Sequence, residues 1–247
     1  MPGMMRRNKI LRVLVRTSLL FVLLSVILVT LLRWVPVRYT PVMLKRAFQF
    51  RGDRAYRTEQ EWVSLEEIAP ELIDAVIIAE DQKFFAHHGF DFGEIRRMWM
   101  SHRRNGTRLR GCSTLSQQTA KNVFTFGTRT WLRKAVEPYW TVLIEQIWGK
   151  RRILEVYLNV VEWGRGTFGA ETASRRYFGT HAASLRTGQA TAMAVCLPKP
   201  LLERPDGLSP EGRRKQRLVV EQMPEALSPG NRKSKEIKNR HGYEKNR

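Results

Sequence analysis

Cysteine is nearly missing from this chain of 247 residues: Cys112 and Cys196 are the only two, and neither a C-x-x-C nor an H-x-x-x-H spacing occurs. A disulfide framework is thereby excluded, and a zinc site has no support. Alternating stretches that would pair as strands are also missing, and so is any internal repeat, which leaves helices to build the fold. Acidic residues are scarce. Against 43 lysines and arginines stand 23 aspartates and glutamates, a formal charge of +20. Such a balance points to phosphate-rich partners: nucleic acid, anionic headgroups or pyrophosphate substrates. Charge alone does not choose among them.

The amino terminus does choose. Thr17 to Leu32 (TSLLFVLLSVILVTLL) carries no charge, and Val13–Val15 before it and Trp34–Val37 after it lengthen the apolar span if Arg16 and Arg33 snorkel. The expectation is one transmembrane helix, with a membrane as the partner and no nucleic acid. Arg6, Arg7, Lys9, Arg12 and Arg16 precede the span with no acidic residue among them, which holds that end in the cytoplasm and sends the rest outward. A cleaved signal peptide is the alternative, but the apolar part is long and no small-x-small site follows it.

Beyond the span, Arg38 to Trp62 shows no clear period and reads as a tether. Ser64-x-x-Glu67 offers a capping box, and Pro70 suits a first helical turn. Ile73, Ile77, Glu80 and Phe84 then recur with the rhythm of one helical face, which places a carboxylate on the side expected to be buried. Burial raises a carboxyl pKa and prepares it to exchange protons near neutrality. A core-edge carboxylate held by a nearby Arg or Lys is the plainer alternative. Ile95 to Arg104 interleaves Met98, Trp99 and Met100 with arginines, suited either to a headgroup boundary or to a packed helix with a solvated basic face. Gly164, Gly166 and Gly169 mark a loop, and a last apolar segment, Ala190 to Leu197, stops at Pro198-x-Pro200.

Polar chemistry gathers in two further places. Gly111 to Asn122 (GCSTLSQQTAKN) is dense in hydrogen-bonding groups suited to a sugar or phosphate, or else it is simply a polar helix start capped by Ser113 or Thr114. Arg133 and Lys134 stand four and three residues before Glu137, an ordinary helix salt-bridge spacing when taken alone.

Five ordered motifs together resemble the peptidoglycan glycosyltransferase family, in particular its monofunctional biosynthetic transglycosylases. They are Glu80-Asp81-x-x-Phe84-x-x-His87-x-Gly89-x-Asp91; Gly111-x-Ser113-Thr114-x-x-Gln117-Gln118-x-x-Lys121-Asn122; Arg133-Lys134-x-x-Glu137; Lys150-Arg151-Arg152-Ile153-Leu154-Glu155-x-Tyr157-Leu158-Asn159 with its Gly164-x-Gly166-x-x-Gly169 loop; and Leu197-Pro198-x-Pro200. The resemblance implies an all-α fold, with a lysozyme-like helical lobe and a smaller membrane-associated jaw lobe, behind one N-terminal transmembrane helix. It divides the chain into a cytoplasmic basic segment 1–16, a transmembrane helix 17–37, a tether 38–62, a glycosyltransferase domain 63–223 and a basic disordered tail 224–247.

The implied reaction polymerises lipid II into β-1,4-linked glycan for the cell wall, releasing undecaprenyl pyrophosphate. By the same resemblance Glu80 is the general base, with Glu137 as a second catalytic carboxylate that orients cations or helps hold a divalent metal, Mg or Mn. Lys121, Arg133 and Lys134 would meet the pyrophosphate; Ser113, Thr114 and Gln118 would line the cleft; Asp81 would orient its neighbours. The implied partners are lipid II, the growing lipid-linked glycan, the bacterial inner membrane with the catalytic domain on its periplasmic side, and cell wall synthesis or division proteins. Two departures stand out: Cys112 where the family usually has a second glycine, and Pro138 directly after Glu137. A lysozyme-type hydrolase would not need the lysine-arginine clusters, and a bare basic binding protein would not need the spaced carboxylates. No S-x-x-K occurs, so a penicillin-binding transpeptidase is absent from this sequence.

Overall fold

The computed structural model describes residues 2–106, 113–126 and 131–223. Cys112 and the expected tail 224–247 lie outside them. The chain opens with helix α1, Pro2–Leu32, whose apolar stretch Lys9–Leu32 is long enough to cross a membrane and leaves most of its side chains exposed. The helix ends five residues before the expected limit at Val37, because the turn at Arg33–Trp34 is followed by Pro36, whose ring disfavours helical geometry in the residue before it.

The C-terminal end of α1 is clasped by the domain. The Trp148 indole donates to the Val29 carbonyl at 2.7 Å, Arg33 to the Ile147 carbonyl at 2.6 Å, and Arg152 to the carbonyls of Leu32 and Val35 at 2.8 and 2.6 Å. The last carbonyls of a helix have no partner within it and carry its negative end, so a guanidinium is a fitting cap there. Deeper in the helix, the Ser25 and Tyr139 hydroxyls bond to each other and Phe21 packs on the Tyr139 ring.

The tether is partly ordered structure. Thr40 caps a short helix α2, Pro41–Gln49, by accepting the Met43 N–H at 3.2 Å, and Met43 is buried against the domain. Nine residues proved too few for periodicity to reveal it. Strand β1, Glu59–Gln60, runs parallel to β3, Thr167–Phe168, which pairs antiparallel with β2, Glu162–Gly164. Strands of two or three residues cannot show alternation in a sequence. The Gln60 amide ties this sheet to the domain through the Val37 carbonyl at 3.0 Å and the Asn159 carbonyl at 2.9 Å.

The rest of the domain is helical. The expected capping box forms, with the Glu67 carboxylate accepting the Ser64 N–H and hydroxyl at 2.8 Å each, and Pro70 opens helix α3, Pro70–Glu80. An exposed helix α4, Phe92–Asn105, presents Phe92, Ile95 and Trp99 outward, with Arg103 stacked 4.8 Å from the Trp99 ring. Helix α5, Leu115–Phe124, packs on α6, Trp131–Ile147, and α7, Gly149–Val160. Pro138 sits inside α6 without ending it. Helix α8, Ala170–Phe178, ends on Gly179 in left-handed geometry; α9, Thr187–Cys196, packs along α3; and α10, Pro210–Gln222, covers both. Cys196 is buried there and its thiol is pushed up to about 12, so it is a packing residue.

One buried acid has no catalytic place. Asp74, in the middle of α3, is buried with its Oδ2 lacking a partner among the described residues, and desolvation with help from the nearby Glu71 charge raises its pKa to about 6. Its folded pKa exceeds the unfolded value of 3.8, so ionisation costs stability progressively as pH rises from about 4 through about 6, by about 3 kcal/mol in full. Asp74→Asn is therefore expected to raise Tm at pH 7.5 and to lose that advantage near pH 4, measured by thermal melts across the range. A variant no more stable than the parent at pH 7.5 contradicts this account.

Candidate active site

Glu80 is the last residue of α3, and the helix stops there because Asp81 turns extended, with φ −161° and ψ 74°. Phe84, which continued the helical rhythm in the sequence, lies beyond that end and is fully buried from the following turn. Of the expected face, Ile73 and Ile77 are buried and Glu80 is half-buried. Its surroundings desolvate the carboxyl enough to raise its pKa, while one side remains accessible. The hydrogen bond from Gln118 and the charge of Lys121 pull that pKa back down, and the Asp81 charge adds to the rise. An acid raised by burial and restrained by a cation suits proton transfer near neutral pH.

The partner side chains come from α5. Thr114 caps it, accepting the Gln117 N–H at 3.1 Å, while the Gln117 side chain takes the Thr114 N–H at 3.0 Å. This reciprocal pair fixes where the first turn begins. One turn on, Gln118 Nε2 donates to Glu80 Oε2 at 2.7 Å and to the Ser113 carbonyl at 3.3 Å, and its Oε1 accepts from the fully buried Tyr157 hydroxyl at 3.3 Å. The amide therefore has one orientation that satisfies both ends. Lys121 follows at i+3, on the same side of the helix.

Asp81 does different work. Its buried carboxylate accepts the backbone N–H of Leu115 at 2.9 Å and lies 3.0 Å from His87 Nε2 through both oxygens. His87 Nδ1 accepts the Gly89 N–H at 3.1 Å, so the proton belongs on Nε2, facing Asp81. Leu115 is the first residue of α5, and a carboxylate there also meets the positive end of the helix. Asp81 thus ties the end of α3 to the start of α5 and sets Glu80 against Gln118. The Thr114 hydroxyl adds a second tie, donating to the Gly89 carbonyl at 2.7 Å. Its hydrogen bonds are committed to the frame, whereas Ser113 beside it is half-buried and contributes its carbonyl.

Lys134 and Glu137 form the second group. They lie three apart on α6, with Lys134 Nζ 3.5 Å from Glu137 Oε2; the lysine is exposed and the glutamate buried. Arg133 lies on the same helix, and its side chain is outside the described residues. Pro138 has no N–H for the helix, and the Thr141 hydroxyl donates to the Glu137 carbonyl at 2.8 Å one turn on. Since α5 packs directly on α6, Lys121 and the Lys134–Glu137 pair stand on adjacent helices.

Tyr157 and His87 fall within the motifs, but the sequence gives them no role. Their position two residues before Asn159 and six after Asp81 was visible, but their partners lie 39 and 6 residues away and needed the fold. A third set went unnoticed: Lys150 donates to Glu145 at 2.7 Å, Glu145 bonds Ser116, and Lys150 Nζ sits 4.6 Å over the Phe84 ring. Among the described residues no group of three or more His, Cys, Asp or Glu side chains gathers as a metal site.

Residues 45–224 match the family described as Transglycosylase. A biosynthetic peptidoglycan transglycosylase of Stutzerimonas stutzeri is 49% identical over 197 residues, covering 79% of this chain and 81% of the relative. The protein of that name from Bdellovibrio bacteriovorus is 43% identical over 215 residues, 87% of this chain and 86% of its own. The one from Pseudomonas aeruginosa is 47% identical over 191 residues, 77% and 82% respectively.

Proposed function

The chain belongs to the transglycosylase family, and on that premise we propose that it is a peptidoglycan glycosyltransferase which polymerises lipid II, with Glu80 as its general base. Glu80 accepts the proton of the acceptor's 4-hydroxyl as that oxygen attacks C1 of the lipid-linked donor. The new C1–O bond forms as the bond from C1 to the pyrophosphate breaks, which inverts C1 and leaves a β-1,4 linkage. The lipid pyrophosphate departs with its charge increased. Lys121, beside Glu80, meets that charge, with Arg133 and Lys134 as the further cations. The observation that carries this reading is the Glu80 carboxyl, raised by burial and held at 2.7 Å by an amide that Tyr157 orients.

Glu137 is a single buried carboxylate beside an ammonium. Magnesium is commonly held by one or two carboxylates with phosphate oxygens and waters completing its shell. Glu137 fits as one ligand of a Mg or Mn ion that the pyrophosphate brings, where the ion would neutralise leaving-group charge, and not as the seat of a resident metal. The N-terminal helix anchors the enzyme in a membrane; the basic segment before it supports a cytoplasmic amino end, with the domain on the outer side of a bacterial inner membrane, where wall or division proteins would meet it. The test is direct: purified full-length chain with labelled lipid II yields glycan polymer and one undecaprenyl pyrophosphate for each new linkage, and saturating penicillin changes nothing. Shortening of preformed glycan without polymerisation defeats the assignment.

A further inference from the structure

Four guanidiniums, those of Arg57, Arg165, Arg176 and Arg204, line a cavity of about 310 Å³ together with Tyr56 and Tyr177. It lies where the β2–β3 turn and the end of α8 meet the stretch before β1 and the segment after Pro200. None of its lining comes from α3, α5 or α6, so it is separate from the Glu80 site. Like charges repel, and a cluster of this kind forms only where the fold holds each member. Arg165 stacks 4.5 Å from the Phe50 ring and pairs with Asp53. Arg204 forks onto Asp206 at 3.0 and 2.7 Å. Arg176 uses Nη1 on the Thr167 hydroxyl, with Glu59 at 3.8 Å. Arg57 spends Nη1 on the carbonyls of Arg54 and Tyr56, 2.8 Å each.

These contacts fix the arginines and leave donors over. Nε and Nη2 of Arg57 and Arg176, Nε and Nη1 of Arg165 and Nη1 of Arg204 have no partner among the described residues. The walls are shaped by glycines of the fourth motif. A side chain on Gly164 would collide with the Tyr177 hydroxyl, and one on Gly166, at φ +72°, with the Arg57 carbonyl. Guanidiniums gathered by ion pairs at a solvent-open cavity are a carboxylate or phosphate receptor in kind. The charges choose between these. Four cations set against Asp53, Glu59 and Asp206 leave one net positive charge, which a single carboxylate neutralises and a doubly charged phosphate exceeds.

We propose that this cavity binds a carboxylate of the peptide carried by the peptidoglycan precursor or strand, as a positioning subsite away from the reacting sugars. The inference rests on the reading of the chain as a lipid II polymerase. The donor's pyrophosphate is assigned to Lys121 and α6, and the acceptor's carries more negative charge than the one net positive charge here balances, which leaves the carboxylates of the peptide. Binding there restricts how the substrate lies along the domain and lowers KM, with no part in bond making.

The test uses the full-length enzyme, lipid II, and lipid II whose peptide carboxylates are converted to amides. The parent is expected to show a KM on the order of tenfold higher for the amidated substrate, as loss of one charge-assisted hydrogen bond implies, with kcat little changed. Arg57→Gln and Arg204→Gln should raise KM for ordinary lipid II by about the same factor and leave KM for the amidated substrate alone. Equal effects of the variants on both substrates, or no effect on either, overturn the proposal, since a merely structural role cannot distinguish carboxylate from amide. Variants that lose binding to phosphatidylglycerol vesicles with both KM values intact would make the cavity a lipid site and overturn it too. If the parent polymerises neither substrate, the polymerase reading itself has failed, a result distinct from unchanged KM ratios.

Discussion

Glu80→Gln is expected to abolish polymerisation, by a factor on the order of 10²–10⁴ or more, while the protein stays folded and still binds lipid II. The amide has the shape of the acid and lacks the one capacity the proposed mechanism asks of it, accepting a proton from the acceptor hydroxyl. It keeps an oxygen for the Gln118 Nε2 donor that now reaches Glu80 Oε2 at 2.7 Å, so the contact between α3 and α5 survives. The measurement is single-turnover polymerisation beside a binding assay; turnover within tenfold of the parent removes Glu80 from the base role. A companion variant reads the environment of the same group. Gln118 lowers the Glu80 pKa, so Gln118→Leu should raise it further and move the acid limb of the kcat/KM–pH profile upward. A base works only when deprotonated, so activity on that limb is lost at a higher pH than in the parent. Displacement in the opposite direction contradicts the assignment.

Asp81→Ala should have the largest effect on stability, about 3–6 kcal/mol, because two hydrogen bonds to a buried carboxylate, from the Leu115 N–H and His87, each contribute about 1.5–3 kcal/mol. The substitution also leaves both donors buried without an acceptor. For a domain whose total stability is of the order of 5–15 kcal/mol, that is a large fraction. Activity should fall with it, since the start of α5 would no longer be tied to the end of α3 and Gln118 and Lys121 would lose their register on Glu80. Asp81→Asn keeps one oxygen for the Leu115 N–H and should cost clearly less. Urea midpoints of the three proteins decide the matter: an alanine variant within 1 kcal/mol of the parent shows that Asp81 is not the tie described.

Local features of this chain were legible because their physics is local. The apolar run read as 17–37 marked a spanning helix, Ser64 and Glu67 marked the capped turn before α3 and Pro70 its first turn, and the period of Ile73, Ile77 and Glu80 placed a carboxylate on an inward face. The five motifs pointed to a family that the match over residues 45–224 bears out. Helix α2 and the three short strands escaped because elements of two to nine residues carry too few periods to count. Helix α10 escaped as well, since most of its face is basic and exposed.

Which polar groups meet came from packing alone. Glu80 and Gln118 are 38 residues apart, Asp81 and Leu115 34, and Gln118 and Tyr157 39, and no periodicity relates positions at such separations. Helical period alone set Glu80 on the inward face, short of water. Whether it would be a neutralised core residue or a poised base depended on the charge and hydrogen bond that packing of α5 against the end of α3 supplies. The four arginines of the second cavity, spread from position 57 to 204, likewise become a site only when the fold brings their separate segments to one wall.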